Sequence, residues 1–142
     1  MGLGKSFICS DCGNTFEIYE GIGMLWHSFD ISMFYPREKN SHSLNFYNEI
    51  DKKMLKEIQK FIEESEDVFV ADAYCQPYIC KNCGKYENKL YFKIVSKDKT
   101  YRPKYFCNCG NRYKRLTKED QAHLYCEKCG GKMLNRGEIC WD

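Results

Sequence analysis

The chain has 142 residues, of which 43% are hydrophobic and 15% aromatic, and its formal net charge is +2. This length suits one compact domain or two very small ones, and the apolar fraction excludes global disorder. No run approaches the roughly 18–20 apolar residues that span a bilayer, and the first residues lack the apolar stretch of a secretion signal. We therefore expect a cytoplasmic protein without membrane contact.

The first half of the chain predicts short strands, a loop and a single helix. Residues 15–19 alternate in polarity and predict a strand. Residues 26–43 carry aromatic side chains without a clear period, which indicates a loop. Residues 44–65 predict an amphipathic helix, because apolar side chains recur there at steps of three and four. They are Tyr47, Ile50, Met54, Ile58, Phe61 and Ile62.

The second half predicts strands between short turns. Strand patterns cover residues 68–75 and 90–95, and residues 101–106 and 112–116 flank a turn. Residues 117–120 resemble a short helical turn with an N-terminal cap. Residues 132–134 leave the last turn, and no low-complexity linker divides the chain.

Ten cysteines are the most informative feature of the composition. In a reducing compartment this content indicates metal binding rather than disulfides. A turn that aims two thiolates at one metal tends toward positive φ after the second cysteine, which glycine tolerates at no steric cost. Eight cysteines form four close pairs, each followed by glycine: Cys9-Ser-Asp-Cys12-Gly13, Cys80-Lys-Asn-Cys83-Gly84, Cys107-Asn-Cys109-Gly110 and Cys126-Glu-Lys-Cys129-Gly130.

Each cysteine pair is half of a tetrahedral site, so four pairs predict two structural zinc ions, each bound by four cysteines. Three pairings of the halves are possible, and the sequence favours neighbours along the chain. One ion would then bind Cys107, Cys109, Cys126 and Cys129, and the other Cys9, Cys12, Cys80 and Cys83. Iron is the less favoured metal, since a tetrahedral all-sulfur site suits it as well.

Cys75 and Cys140 stand outside the pairs. We interpret each as a small buried side chain. A redox pair between them is a less favoured reading. So is a third metal site, which would need ligands from His27, His42 and His123, the three histidines of the chain.

These patterns predict an α+β fold of the small zinc-ribbon class. Antiparallel β-hairpins would surround the two four-cysteine zinc sites, with one amphipathic helix inserted. Residues 1–98 would form a ribbon split by the helix at about 44–65, and residues 99–142 a C-terminal ribbon. The two ribbons would pack as one compact unit.

Charge is unevenly distributed along the chain. Residues 1–79 hold seven Lys or Arg against thirteen Asp or Glu, and residues 80–142 hold fifteen against seven. Cations alternate with aromatic side chains over residues 89–115, a pattern that can bind phosphates and stack on bases. The candidates for nucleic-acid contact are Lys93, Arg102, Lys104, Tyr105, Arg112, Lys114 and Arg115. The alternative is a solvated strand face.

Several motifs together resemble small bacterial multi-zinc-ribbon proteins, a group without an assigned activity. The resemblance implies a rubredoxin-like ribbon architecture and no activity, and the short Cys107-x-Cys109 spacing departs from its pattern. The matching features are Phe7-x-Cys9-x-x-Cys12-Gly13, Gly21-Ile22-Gly23-Met24, Cys80-x-x-Cys83-Gly84-x-Tyr86-x-Asn88, Cys126-x-x-Cys129-Gly130-Gly131-Lys132-Met133 and the terminal Trp141-Asp142.

The sequence therefore predicts a non-enzymatic, zinc-stabilised binding module for a protein or nucleoprotein partner. It contains no His-Glu-x-x-His or Gly-x-Ser-x-Gly motif, and four-cysteine zinc has no open coordination position. Three alternatives stay open. They are a nucleic-acid-binding protein that uses the face formed by residues 89–115, a redox- or metal-responsive zinc protein, and an inhibitor of a host machine encoded by a mobile element.

Overall fold

Strands and short helices alternate along the chain. The structure is a computed structural model and describes residues 2–22, 30–36, 47 and 50–141. The strands are β1 (Gly2–Cys9), β2 (Thr15–Glu20), β3 (Phe69–Ile79), β4 (Tyr86–Val95), β5 (Thr100–Tyr101), β6 (Lys114–Arg115) and β7 (Met133–Trp141). The helices are a 3₁₀-helix (Ile31–Phe34), α1 (Lys52–Glu63) and α2 (Lys118–Gln121).

The strands form two sheets with antiparallel pairing, so the fold belongs to the α+β class. The first sheet has the order β2-β1-β7 and the second β5-β4-β3-β6. In the first sheet, Phe7 of β1 lies opposite Phe16 of β2, and Cys9 lies opposite Met133 of β7. The central strand β1 thus brings the first cysteine pair next to the last one, although about 120 residues separate them.

The residues cluster into two units. The first unit contains residues 1–23, 75–90 and 104–142, and the second contains residues 24–74 and 91–103. The division predicted at residue 98 followed from the pairing of neighbouring cysteines. Both units of the structure draw residues from both sides of that boundary, since the first includes residues 104–142 and the second includes residues 91–103.

The first unit holds two small apolar clusters. One is built around Phe7, Ile18, Leu116 and Met133, and it includes the thiols of Cys9 and Cys126. The other contains Tyr78, Tyr113, Cys80 and Cys107, with Tyr105 packed against it. Each cluster is therefore continuous with cysteines predicted as ligands.

The second unit is centred on aromatic and aliphatic side chains. Phe34 and Phe92 are both fully buried, and their ring centroids are 5.2 Å apart. Gln59 of α1 donates from Nε2 to the carbonyl oxygen of Phe34 at 3.0 Å, which joins the helix to the 3₁₀-helix. Ile58 on the same helix is also fully buried. This unit contains none of the eight paired cysteines.

Helix α1 is shorter than the predicted helix over residues 44–65. It begins after Asp51, whose carboxylate caps it by accepting the N–H groups of Lys53 and Met54, and it ends at Glu63. Residues 44–46, 48 and 49 lie outside the described residues. The predicted apolar face is present, because Met54 is buried and Phe61 half-buried.

Two further elements differ from their predictions. Within the loop predicted over residues 26–43, the described residues 30–36 contain the 3₁₀-helix, capped by Asp30. The sequence indicated only that residues 132–134 leave the last turn and assigned no strand to the residues that follow, whereas β7 covers Met133–Trp141. Its run of polar residues conceals this strand, because most of its side chains are exposed. None of the described helices is long and apolar enough to cross a bilayer.

Candidate metal centres

Two groups of four cysteines come together in the first unit. Centre A contains Cys9, Cys12, Cys126 and Cys129, and centre B contains Cys80, Cys83, Cys107 and Cys109. Within each centre the sulfur atoms all lie within 4.8 Å of one another. Both centres could therefore hold a metal ion.

The pairing of the halves differs from the predicted one. The sequence favoured neighbours along the chain, but the structure joins the first pair to the fourth and the second to the third. Sheet register is the physical reason. Cys9 at the end of β1 lies opposite Met133 of β7, close to the fourth pair. Likewise, Ile79 before the second pair lies opposite Lys114 of β6, close to the third pair.

The sulfur geometry fits a tetrahedral ion. A metal–sulfur bond of about 2.3 Å places two tetrahedral ligands about 3.8 Å apart. In centre A, the distance from Cys9 Sγ to Cys129 Sγ is 3.4 Å, and that from Cys12 Sγ to Cys126 Sγ is 3.6 Å. In centre B, the two corresponding distances between the pairs are both 3.5 Å. The four-thiolate donor set suits zinc or iron.

The turns are stabilised by backbone hydrogen bonds across each cysteine pair. In the first turn, the N–H of Cys9 donates to the oxygen of Asn14 at 2.8 Å, and that of Gly13 to Cys9 at 3.1 Å. The pairs that begin at Cys80 and Cys126 repeat both bonds. The glycine φ angles are all positive, as predicted: 74° at Gly13, 75° at Gly84, 91° at Gly110 and 75° at Gly130.

The short Cys107-x-Cys109 spacing forms the same kind of turn with one residue fewer. The N–H of Cys107 donates to the oxygen of Asn111 at 2.8 Å, and that of Gly110 donates to Cys107 at 2.9 Å. Each bond spans one residue less than its counterpart at Cys9. Asn111 adds a side-chain amide, which donates to Cys109 Sγ at 3.5 Å. The departure in spacing therefore leaves the half-site intact.

Backbone N–H groups point at several thiols and favour their thiolate forms. The N–H of Cys12, followed by that of Asp11, lowers the pKa of Cys9 against the opposing effect of burial. At Cys126, burial raises the pKa, but the N–H groups of Cys129 and Lys128 outweigh it and bring the value to about 6.

Centre B has an equivalent arrangement. The N–H of Asn111 is the main cause that lowers the pKa of Cys109 to about 6. Cys83 accepts the N–H of Lys85, which lowers its pKa, but the neighbouring thiols of Cys107 and Cys80 raise it to about 11. Four thiolates repel one another, and a divalent cation among them would remove that conflict.

Burial alternates within each centre. Cys9, Cys80, Cys107 and Cys126, the first members of the pairs, are buried, whereas the second members are exposed. Each centre therefore has one side in the apolar core and one side at the surface.

The two remaining cysteines have different environments. Cys75 is half-buried, and burial raises the pKa of its thiol to about 11. Cys140 is exposed, because it lies on strand β7 opposite the exposed Leu3. Its interpretation as a buried side chain is therefore wrong. Neither joins a third metal-binding group within the described part of the chain, and His27 and His42 lie outside it.

The seven candidates for nucleic-acid contact are divided between the units. Lys93 and Arg102 belong to the second unit and the other five to the first. Tyr105 is used in packing, because its hydroxyl donates to the carbonyl oxygen of Leu90 and Lys89 lies over its ring. Arg115 donates from Nε and Nη2 to Gln76 Oε1 at 3.0 and 2.7 Å. Lys104, Arg112 and Lys114 are exposed.

Sequence reasoning missed two exposed aromatic side chains beside the centres. Phe106 and Tyr125 directly precede the third and fourth cysteine pairs, and their exposed fractions are 63% and 61%. Phe106 lies opposite Arg112, and Tyr125 opposite Lys132, in isolated antiparallel bridges. Both cations are exposed. The only sequence signal is the repeated order of aromatic residue, cysteine pair, glycine and cation.

Comparison with protein-family models, curated proteins and solved structures found no match to this chain.

Proposed function

We propose that centres A and B each hold one structural Zn²⁺ and that the chain is a non-enzymatic zinc-ribbon binding module of the cytoplasm. The observation that carries this proposal is the composition of each centre, four cysteine sulfurs within bonding range of one ion. Four thiolate ligands complete a tetrahedral shell and leave no position for water or substrate. The proposed role of the metal is therefore to stabilise the fold, and the surface around it performs the function.

The metal ions would hold together segments that are distant in the sequence. Centre A joins the turn after β1 to the turn before β7, and centre B joins the end of β3 to the segment before β6. Structural zinc can contribute on the order of 10 kcal/mol to folding, which is large for a domain of this size. Such support lets a small core present aromatic side chains to solvent.

The proposed contact surface consists of Phe106, Arg112, Tyr125 and Lys132, which we call the knuckle pairs. Aromatic side chains and arginine are enriched at protein interfaces, and tyrosine and arginine are among the types that dominate binding energy there. The turn hydrogen bonds at Cys107 and Cys126 fix the backbone beside both aromatic residues, so little ordering entropy would be lost on binding. A protein or nucleoprotein is the proposed partner.

Affinity capture with matched variants tests this function. A partner that binds through the knuckle pairs should be retained by the wild-type chain and lost by the double variant Phe106→Ala, Tyr125→Ala. Phe69→Ala is the control, because Phe69 is a similarly exposed aromatic residue, at 54%, in the second unit. If the double variant captures the same partner as the wild type, the proposed surface is wrong.

Single-stranded nucleic acid is a second candidate partner. The observation in its favour is that each exposed ring has a cation directly across the bridge, so a base could stack while a phosphate is neutralised. Fluorescence anisotropy with labelled oligonucleotides of DNA and RNA tests it. Binding should weaken steeply as salt is raised and should be lost in Arg112→Gln, Lys132→Gln. No binding at low salt, or binding that does not depend on salt, would reject this candidate.

A further inference from the structure

A cavity of about 290 Å³ lies in the first unit against one face of the first sheet. Alternate residues of a strand point to the same face, and Asn135 of β7 lies opposite Phe7 of β1. The two strands therefore form one wall and α2 forms another. The lining side chains include Lys5, Phe7, Met133, Asn135, Lys118 and Gln121. The volume is near the lower end for small-molecule sites.

Apolar and polar groups are both present in this cavity. Phe7 and Met133 have exposed fractions of only 3% and 6%, and they offer an aromatic ring and a thioether. Gln121 is also buried, at 7% exposed, so a polar side chain is held inside the wall. A few fixed polar groups among apolar ones are typical of sites that bind small molecules.

Hydrogen bonds hold the polar side of the cavity in place. Lys5 donates from Nζ to Gln121 Oε1 at 3.2 Å, and Gln121 donates from Nε2 to Glu20 Oε1 at 2.6 Å. Gln121 therefore lies between the ammonium group of Lys5 and the carboxylate of Glu20 and is hydrogen-bonded to both. Asn135 accepts the N–H of Gly137 through Oδ1 at 2.8 Å, which leaves its amide Nδ2 as a further donor.

Two cations, Lys5 and Lys118, line the cavity. Neither Lys5 nor Lys118 forms an ion pair in the part of the chain that the structure describes. Glu138 lies opposite Lys5 in the register of β1 and β7, yet Lys5 bonds to Gln121 instead. Two ammonium groups beside one cavity favour an anion, because both attract it and the half-buried Lys5 is screened less than a fully exposed cation.

We infer that this cavity binds a small organic anion, a carboxylate or phosphate ester that carries a flat apolar group. Lys5 and Lys118 bind the anionic head, with Asn135 as an additional donor. Phe7 and Met133 contact the flat group. The lining shares no residue with the metal ligands or with the knuckle pairs, although Phe7 and Met133 belong to the apolar cluster that includes Cys9 and Cys126. The inference does not depend on the proposed partner.

Titration of the purified 142-residue chain tests the site, with amide NMR shifts as the readout. The probes are phenyl phosphate, benzoate, the uncharged benzamide and inorganic phosphate. Phenyl phosphate and benzoate should shift amides of β1, β7 and α2 with a Kd of about 1 mM or tighter. Benzamide lacks the charge and inorganic phosphate lacks the ring, so each should bind at least about tenfold more weakly. The stronger of the first two probes identifies the preferred head group.

Matched variants separate this site from general charge attraction. Lys5→Gln and Lys118→Gln should each weaken binding of the better probe about tenfold, since each removes a charged hydrogen-bond donor. Ala122→Leu should also weaken it, because Ala122 lines the cavity and a larger side chain fills it without a change of charge. Lys56→Gln, an exposed position on α1, should bind like the wild type.

Because Lys118 is exposed, its variant keeps the test valid even if Lys5→Gln fails to fold. The inference is overturned if no probe gives saturable shifts, if benzamide binds as well as benzoate, or if Lys118→Gln keeps wild-type affinity.

Discussion

Gly130 and Gly131 follow the same cysteine, yet a methyl group would meet different surroundings at each. At Gly130 the backbone has a φ of 75°, and a Cβ atom would have open space around it. At Gly131 a Cβ atom would lie 2.5 Å from Asp11 Oδ2 and 2.9 Å from Cys9 Sγ. The first glycine is therefore needed for its conformation, and the second for the space beside centre A.

We expect Gly131→Ala to disturb centre A more than Gly130→Ala does. Gly130→Ala strains only the backbone, at a cost of about 1–2 kcal/mol, and should keep two zinc ions per chain. Gly131→Ala should displace Cys9 Sγ and lower the zinc content toward one. Metal analysis of the purified variants measures this. A Gly131→Ala chain with two zinc ions and wild-type thermal stability would contradict the account.

For individual residues, the sequence predicts the cysteine ligands well, but it predicts poorly which aromatic side chains are exposed. The cysteine pairs and the positive φ of their glycines follow from local turn geometry, which the spacing reveals. Whether a side chain is free depends on residues far away in the sequence. Tyr105 shows this, because its ring packs on Tyr78 and beneath Lys89. Phe106, the next residue, is instead the exposed one.

Helix α2 is only four residues long and depends on its cap. Thr117 Oγ1 accepts the N–H of Asp120 at 3.1 Å, and the Asp120 carboxylate accepts the N–H of Thr117 at 3.1 Å. The N–H of Thr117 also holds the pKa of Asp120 below its usual range, because it stabilises the charged carboxylate. The cap thus stabilises the helix that carries Lys118 and Gln121.

We expect Thr117→Ala to destabilise the chain by about 1 kcal/mol, because the hydroxyl acceptor of the cap is lost. Thr117→Ser keeps that acceptor and should restore most of the stability. Urea unfolding of the zinc-loaded variants measures both effects. Equal stability of the alanine and serine variants would show that the cap contributes nothing.

The elements could be predicted where their signal is local. The capped turn at residues 117–120 is present as the cap Thr117 and the start of α2, and the strand over residues 90–95 lies within β4. Strand β7 was missed, because it lies at the edge of its sheet and most of its side chains are exposed, so it shows no alternation. The predicted pairing of the cysteine pairs was wrong, because the order of strands in the sheets determines it. The spacing of cysteines along the sequence does not reveal that order.

The charge asymmetry along the sequence does not match the two units of the structure. The first unit has twelve Lys or Arg and nine Asp or Glu, and the second has ten and eleven. The acidic start and basic end of the chain are thus partly mixed in one unit. Two four-thiolate zinc sites would each add a charge of −2 to the first unit, which gives it about −1. Basic character is therefore local to surfaces such as the knuckle pairs.

We expect metal removal to affect the two units unequally. Both centres lie in the first unit, whereas the second has its own buried side chains, including Phe34, Ile58 and Phe92. After chelation, amides of β1 and β7 should lose protection from hydrogen exchange, while those of α1 should keep more of it. Mass-spectrometric hydrogen exchange measures this. Uniform loss across both units would show that the second unit cannot fold without the metal ions.

The zinc content of paired cysteine variants tests the arrangement of the two centres most directly. Cys12, Cys83 and Cys129 are suited to this because all three are exposed, so a serine leaves the core unchanged. Cys12→Ser, Cys129→Ser removes two ligands of centre A alone and should leave one zinc ion per chain. Cys12→Ser, Cys83→Ser damages both centres and should leave none. The reverse result, with one ion in the second variant and none in the first, would contradict the structure and support pairing of the first cysteine pair with the second.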